Sequence, residues 1–313
     1  MSRTAHRTVV MTGATRGIGR HAAARLLAEA PRLHLVVLAR GTSGEALAES
    51  LSRHRDRLTV LEADLLSLDS VRAAADRTAH MLTAGSLPPL RGLLLNGGVQ
   101  HTSSMVESAD GLEATFAVNV LAPHLLIRRL GDHMPEPARI VLTVSDTHFG
   151  DLRHNLGLVP GPQWMAPEAL ARPGAFSSPA GVTAGRTAYS TSKLAAVHLI
   201  HEHARRLPPG IVIAGFNPGL VPATGIARSA DALSRFAMRW VLPMLALTPL
   251  AAMPRTAGRQ LARMLLDETP PPDGGYVSRE RVVASSAESY DPARERELWD
   301  LAERLTAPSA PPA

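Results

Sequence analysis

Six apolar runs constrain this chain most: RTVVMTG (7–13), LHLVVLA (33–39), RLTVLEA (57–63), RGLLLNG (91–97), RIVLTVS (139–145) and GIVIAGF (210–216). A sheet with one wet face imposes alternation of apolar and polar residues. Runs this continuous mark strands buried on both faces. The segments between them carry apolar residues at helical spacing. Strand and helix alternating this often imply right-handed crossovers, and so an α/β fold built on a doubly wound parallel sheet. The short GGYV (274–277) adds a final strand, and DPARERELWDLAERL (291–305) a closing helix.

No repeat, linker or low-complexity block divides the first 145 residues, and we read 1–313 as a single domain. Two irregular regions interrupt it. The first, 146–186, contains Pro160, Pro162, Pro167, Pro173 and Pro179; the second runs over 217–255. Long aperiodic segments in a compact domain are usually binding loops or lids, so we expect an insert and a substrate lid. The lid sequence offers Phe236, Met238, Trp240, Met244 and Leu245 as an apolar wall for a large hydrophobic small molecule. The tail 306–313 has no large apolar side chain and is expected to be disordered.

Composition removes several function classes. There is no cysteine, which excludes disulfides, zinc thiolates and thiol catalysis and suits a reducing cytoplasm. The net charge of +5 comes from scattered arginines rather than a basic block, so no nucleic-acid partner is expected. The most apolar window, 240–253, is too short to span a bilayer and holds Pro243 and Pro249. The N-terminus has no apolar signal region. The HLIHEH segment places His198, His201, Glu202 and His203 without a convergent metal spacing; we expect a solvated helix face and no metal site. His148, close after Ser145, is a candidate substrate contact.

The junction of the first run with the next helix reads TGATRGIGR, with Gly13, Thr15, Arg16, Gly17, Ile18 and Gly19. Glycines there permit a tight turn and let backbone amides approach a pyrophosphate at a helix N-terminus. Placed at the start of a strand–helix–strand unit, they predict a dinucleotide-binding Rossmann fold. An acid commonly ends the second strand to hold a ribose 2′-hydroxyl. Here Arg40 stands in that place, followed by Thr42 and Ser43, with Arg16 in the glycine loop. Guanidiniums bind phosphate oxygens in pairs, so the cofactor is read as NADP(H).

The chain has 33 Lys and Arg residues, and a single one, at 193, is lysine. It lies four positions after Tyr189, one turn away on the same helix face. A neighbouring ammonium favours a phenolate, which predicts a lowered Tyr189 pKa and a usable acid/base near neutrality.

The segments TGATRGIG, ADL (63–65), NGG (96–98), NVLAPHLL (119–126), IVLTVS (140–145), YSTSK (189–193) and NPGLV (217–221) occur in the order found in short-chain dehydrogenases/reductases, which the chain resembles over about 7–225. That resemblance implies a catalytic tetrad of Asn119, Ser145, Tyr189 and Lys193. Tyr189 would protonate a carbonyl oxygen as hydride arrives, with Ser145 bonded to that oxygen. Lys193 would bind the nicotinamide ribose, and Asn119 would order a relay water. It further implies that Asp64 and Leu65 flank the adenine, that Asn96, Gly97 and Gly98 line the cleft, and that Pro218 and Gly219 meet the nicotinamide end.

Three positions depart from the family pattern. NGG replaces the usual NAG, Asp146 replaces a frequent second serine, and Tyr189 follows Ser145 by 44 positions. The long insert, GDLR (150–153), PATGIAR (222–228) and the closing helix resemble the retinol dehydrogenase and protochlorophyllide reductase branch. The latter enzymes are associated with functional cysteines, which argues against pigment photoreduction here while keeping a bulky apolar substrate.

The expected activity is an NADP(H)-dependent ketoreductase or alcohol dehydrogenase. The alternatives are a non-redox cyclase or isomerase using Tyr189 as acid/base, and a nucleotide-sensing protein without turnover. A homodimer through the helices of 110–133 and 187–206 is a further expectation from the resemblance.

Overall fold

The computed structural model describes residues 5–155, 157, 159–221 and 252–308. Eight strands form one sheet: β1 (Arg7–Thr12), β2 (Leu33–Ala39), β3 (Leu58–Glu62), β4 (Leu90–Leu95), β5 (Ala138–Thr143), β6 (Ile211–Asn217), β7 (Gly275–Ser278) and β8 (Arg281–Val283). Their spatial order is β3-β2-β1-β4-β5-β6-β7-β8. Every pairing is parallel except the last, where β7 and β8 are antiparallel neighbours. The six apolar runs are β1 to β6, with β3 at one edge of the sheet, and GGYV supplies β7. β8 is three exposed residues and carries no buried-strand signature, which is why sequence pattern alone does not reveal it.

Each strand divides its side chains between two cores, as the two-residue period of a strand requires. Val9, Met11, Leu35, Val37, Leu94, Val141 and Phe216 face one side, packed by α1 (Gly17–Glu29) and α2 (Gly41–Ser50). Val10, Val36, Leu38, Leu93, Leu95, Ile140, Leu142 and Ile213 face the other, against α3 (Leu68–Thr83), α4 (114–130) and α5 (Val182–Arg206). Two further helices complete the layers. α6 (Pro254–Leu266) packs on α1 beside the first core. α7 (Pro292–Thr306) lies on the second, where it contacts both α4 and α5.

α7 overturns the expectation of a solvated HLIHEH face. His198, His201, Glu202 and His203 are all buried. Trp299 of α7 stacks edge-on against His124 and His203, whose ring nitrogens lie 3.2 Å apart. Glu295 of α7 accepts from His201 at 2.9 Å and pairs with Arg205, while Glu202 pairs with Arg205 and Arg206. Arginine and glutamate supply partners for His201 and Glu202, while both ring nitrogens of buried His198 lack a hydrogen-bond partner among the described residues. Among the described residues no helix is long and apolar enough to cross a membrane. Most of the proposed lid (222–251) and the end of the tail (309–313) lie outside the described residues, as do Phe236, Met238, Trp240, Met244 and Leu245.

Candidate active site

The sheet reverses its strand order between β1 and β4, and the crevice beyond the carboxyl ends of the strands opens there. β1 runs into Gly13, which has φ 68°, and the chain enters α1 with Arg16 as its N-cap residue. A Cβ on Gly13 would lie 2.7 Å from the Gly97 nitrogen, and one on Gly19 2.0 Å from the Gly13 oxygen. No side chain fits, so the floor of the crevice is bare backbone at a helix N-terminus. That is the surface a pyrophosphate needs, and the residues present fit a dinucleotide. Ile18, in the first turn of α1, is buried in the core, so it presents backbone rather than side chain to the crevice.

Beside this floor, Asn96 ends β4 and donates from Nδ2 to the Gly13 oxygen at 3.1 Å, while its Oδ1 accepts from Thr143 Oγ1 at 3.1 Å. The Gly97 amide donates to Thr12 Oγ1 at 3.0 Å, and Leu65 packs against Gly97. Asp64 caps its own turn, accepting from the Leu66 amide at 3.1 Å. At the far end of the crevice Gly219, φ 72°, donates to Asn217 Oδ1 at 3.1 Å, directly after Pro218. The side chain of Arg279 lies against Gly219.

At the end of β2, Arg40 is exposed and its guanidinium lies 3.8 Å from the Asp64 carboxylate. The Gly41 amide donates to Glu62 Oε2 at 2.6 Å, so the N-terminus of α2 already holds an anionic group. Ser43 turns its hydroxyl to the Arg40 carbonyl at 2.7 Å, a local cap. β1 and β2 are parallel, with Thr12 beside Leu38, so the glycine loop and Arg40 leave the same edge of the sheet.

The four candidate catalytic residues come together from three elements. Asn119 sits in a π-helical turn, Ala117–Leu121, inside α4; such turns recur at functional sites. Its amide clasps the backbone of Val99, accepting from the nitrogen at 2.9 Å and donating to the oxygen at 3.0 Å. It also donates to Ser192 Oγ at 2.9 Å, and Ser192 donates onward to the Tyr189 carbonyl at 2.7 Å. Ser145 follows β5 and hydrogen-bonds the Tyr189 hydroxyl. Tyr189 and Lys193 share one face of α5, with Lys193 Nζ 5.6 Å from the Tyr189 ring centre. A Cβ on Gly98 would stand 3.2 Å from Asn119 Oδ1 and 3.7 Å from Lys193 Nζ, so the second glycine of NGG leaves room beside both.

The electrostatics correct one expectation. Burial pushes the Tyr189 phenol up, countered only in part by Ser145, and pushes Lys193 down to about 8. Both groups are deeply buried, and loss of water penalises each charged form more than their spacing rewards the pair. The phenol is therefore held protonated rather than acidified.

His148 is not the substrate contact expected of it. Its Nδ1 donates to the Ser145 carbonyl at 2.7 Å and its Nε2 accepts from the Ser286 amide at 3.1 Å. Both nitrogens are spent on holding the loop after β5. Sequence reasoning missed Thr143, Ser192 and Tyr276. Thr143 accepts from Lys193 Nζ through its carbonyl at 3.0 Å, and backbone acceptors leave no trace in side-chain identity. Ser192 lies within YSTSK, where position alone gives no role. Tyr276 donates to Asp146 Oδ1 at 2.7 Å across 130 residues, a pairing that only the fold creates.

With the site assembled, comparison with known proteins places the chain. A family model described as short chain dehydrogenase matches residues 7–154. The chain is 30% identical over 329 aligned residues to protochlorophyllide reductase A, chloroplastic, of Arabidopsis thaliana, covering 95% of this chain and 76% of that one. The rice protein of the same name, from Oryza sativa subsp. japonica, is also 30% identical, covering 95% and 80%. Among solved structures, a short chain dehydrogenase from Burkholderia cenocepacia J2315 in complex with NADP superposes with TM-score 0.61 at 22% identity, covering 90% of this chain and 98% of that one. NADPH-bound carbonyl reductase from chicken fatty liver gives TM-score 0.58 at 20% identity, covering 90% and 99%. The chain belongs to the short-chain dehydrogenase/reductase family of oxidoreductases. Within that family it falls in the protochlorophyllide reductase-like branch.

Proposed function

We propose that the protein is an NADP(H)-dependent reductase that converts the carbonyl of a bulky, hydrophobic small molecule to an alcohol. The observation that carries this reading is the convergence of Ser145, Tyr189 and Lys193 beside a backbone crevice with no room for side chains. When bound, NADPH would supply the hydride. Gly13, Thr15, Arg16, Gly17, Ile18 and Gly19 would hold its pyrophosphate, and Asn96, Gly97, Gly98, Pro218 and Gly219 would line the nicotinamide half. Asp64 and Leu65 would flank the adenine. Arg40 and Arg16 would take the 2′-phosphate, with Arg40 leaving its exposed contact to Asp64.

Tyr189 is the proton donor in this scheme. Burial keeps its phenol protonated, the form a proton donor needs. Ser145, already bonded to that hydroxyl, would share the developing negative charge on the substrate oxygen. Lys193 would bond a ribose hydroxyl of the bound cofactor and help return a proton to Tyr189. Asn119 has both N–H groups committed to Val99 and Ser192, so any relay water it holds would bond the remaining lone pair of Oδ1.

Support for a large substrate comes from three directions: the lid and insert sequences, relatives named for reduction of protochlorophyllide, and exposed Met105, Val106 and Val182 beside the N-terminal end of α5. The test is to follow NADPH absorbance with polycyclic and long-chain ketones. Oxidation of NADPH in step with alcohol formation is expected. Substrate change without cofactor oxidation would instead select the cyclase or isomerase reading.

A further inference from the structure

Asp146 occupies the position directly after Ser145, and its carboxylate is fixed by a residue 130 positions later in the chain. Tyr276, buried on β7, donates its phenolic hydrogen to Asp146 Oδ1 at 2.7 Å. A negative charge on Tyr189 would add to what holds the Tyr276 hydroxyl protonated, after burial and Asp146. Carboxylate, first phenol and second phenol therefore sit in one neighbourhood, with Ser145 completing it.

The other polar side chain of this loop is spent. His148 uses both nitrogens on backbone groups, and Thr147 is buried. Asp146 differs: it is only half-buried, and among the described residues its carboxylate accepts a hydrogen bond from Tyr276 alone. A carboxylate has about four lone-pair positions, and one bond leaves it strongly under-used. Tyr276 has given away its single hydrogen, so what the pair offers a ligand is acceptors only. Burial keeps Tyr276 from ionising, as does the Asp146 charge, so it remains a donor to Asp146 throughout the neutral range.

We infer that Asp146, held in place by Tyr276, is a specificity-determining residue that anchors a hydrogen-bond donor on the substrate, a hydroxyl or an amine a few bonds from the reacting carbonyl. The inference rests on the reductase reading above and narrows its substrate class. The favoured ligands are large apolar molecules carrying a hydroxy-ketone or amino-ketone unit. A site built to receive a donor disfavours the analogue lacking it, because the bound skeleton then shields the carboxylate from water without offering it a partner. Asp146 would touch substrate; Tyr276 acts through Asp146 and is a positioning residue.

The test uses the full chain with NADPH and a matched pair of polycyclic ketones, one with a hydroxyl on the carbon next to the carbonyl and one without. The readout is the ratio of their kcat/KM values. The natural chain should favour the hydroxy-ketone by about tenfold to a hundredfold, the range of a charge-assisted hydrogen bond. Asp146→Asn should collapse that ratio toward one, and Tyr276→Phe should lower it part of the way, chiefly through KM for the hydroxy-ketone. Both folded variants keeping the natural ratio would overturn the inference. Should neither ketone oxidise NADPH, the reductase reading fails by itself. The same preference is then read from ligand-induced rises in Tm, and equal rises for both ketones in the natural chain would overturn the anchor. Asp146→Glu provides the folding control: partial recovery of the ratio supports the inference, and a ratio as low as in Asp146→Asn, with the fold intact, contradicts it.

Discussion

Lys193 Nζ donates to the carbonyl oxygen of Thr143 at 3.0 Å, which ties the one lysine of the chain to the end of β5. From there the connection continues. Thr143 Oγ1 donates to Asn96, and Asn96 donates to the carbonyl of Gly13 in the glycine loop. The proposed catalytic cation and the proposed phosphate cradle are thus joined by three successive hydrogen bonds through side chain and backbone.

That linkage has a pH signature. Lys193 is pushed down to about 8 by burial, below its unfolded value. Between about 8 and its unfolded pKa the unfolded chain binds the extra proton, so this group makes the fold more stable as pH rises through that window. Its ammonium is needed in the proposed reaction, so kcat/KM should fall as pH rises through about 8. A kcat/KM that stays flat to pH 10 would remove Lys193 from the mechanism. Lys193→Arg should lose about a hundredfold or more in kcat, because a planar guanidinium does not replace a compact ammonium in a full site.

Cofactor choice tests the end of β2. Arg40→Asp should weaken NADPH binding by about tenfold to a hundredfold, the loss of one charge-assisted contact, and bring NADH affinity toward or above that of NADPH. Fluorescence titration with both nucleotides reads it directly. An unchanged NADPH preference would show that Arg40 only meets Asp64 and solvent.

Glu113 predicts an effect far from the chemistry. Its carboxylate caps α4, accepting from the Phe116 amide at 2.6 Å, yet it is buried and pushed up to about 7. Between about 4.5 and 7 the folded chain holds a proton that the unfolded chain has lost. Stability contributed by this group therefore falls as pH rises through that window. Glu113→Gln keeps the shape and removes the titration. Denaturant unfolding at pH 5 and pH 8 should show the variant losing less stability over that interval than the natural chain, by about 2–3 kcal/mol at most.

The histidines under α7 work in the opposite sense. Burial lowers the pKa of His124, takes His203 well below its ordinary value and lowers His198 to about 4. Neutral in the fold, they charge readily when unfolded, so their contribution is intact above about 6.5 and is lost as pH falls toward 4. Three such groups outweigh the single Glu113, and net stability should drop on acidification below about 6. Trp299→Ala, which strips the ring packed on His124 and His203, should cost about 3–5 kcal/mol and move that acid limb upward. Thermal unfolding across pH measures both.

Much of this architecture was legible because its causes are local. Strands buried on both faces leave continuous runs of Val, Leu and Ile, and the turn at Gly13 demands a residue without Cβ. Tyr189 and Lys193 share a helix face by spacing alone, and their neighbourhood with Ser145 follows once β5 and α5 are placed. What stayed hidden depends on long-range packing. HLIHEH looks polar and solvated until α7, a hundred residues later, covers it. His148 looks available until Ser286 takes its free nitrogen. The Tyr189 pKa went the other way because the sequence shows the neighbouring charge but not the depth of burial, and burial is the larger effect here. The Asp146–Tyr276 pair joins the two ends of the chain's site and has no signature in spacing at all.

The account depends most on Tyr189 giving its proton to a substrate oxygen in a site that still binds NADPH when that hydroxyl is missing. Tyr189→Phe, assayed by NADPH fluorescence titration and by NADPH consumption with a ketone the natural chain reduces, measures both halves at once. NADPH affinity within about threefold of the natural chain, with turnover reduced by about a hundredfold to ten-thousandfold, is the predicted result. Turnover that survives the loss of the hydroxyl would contradict it.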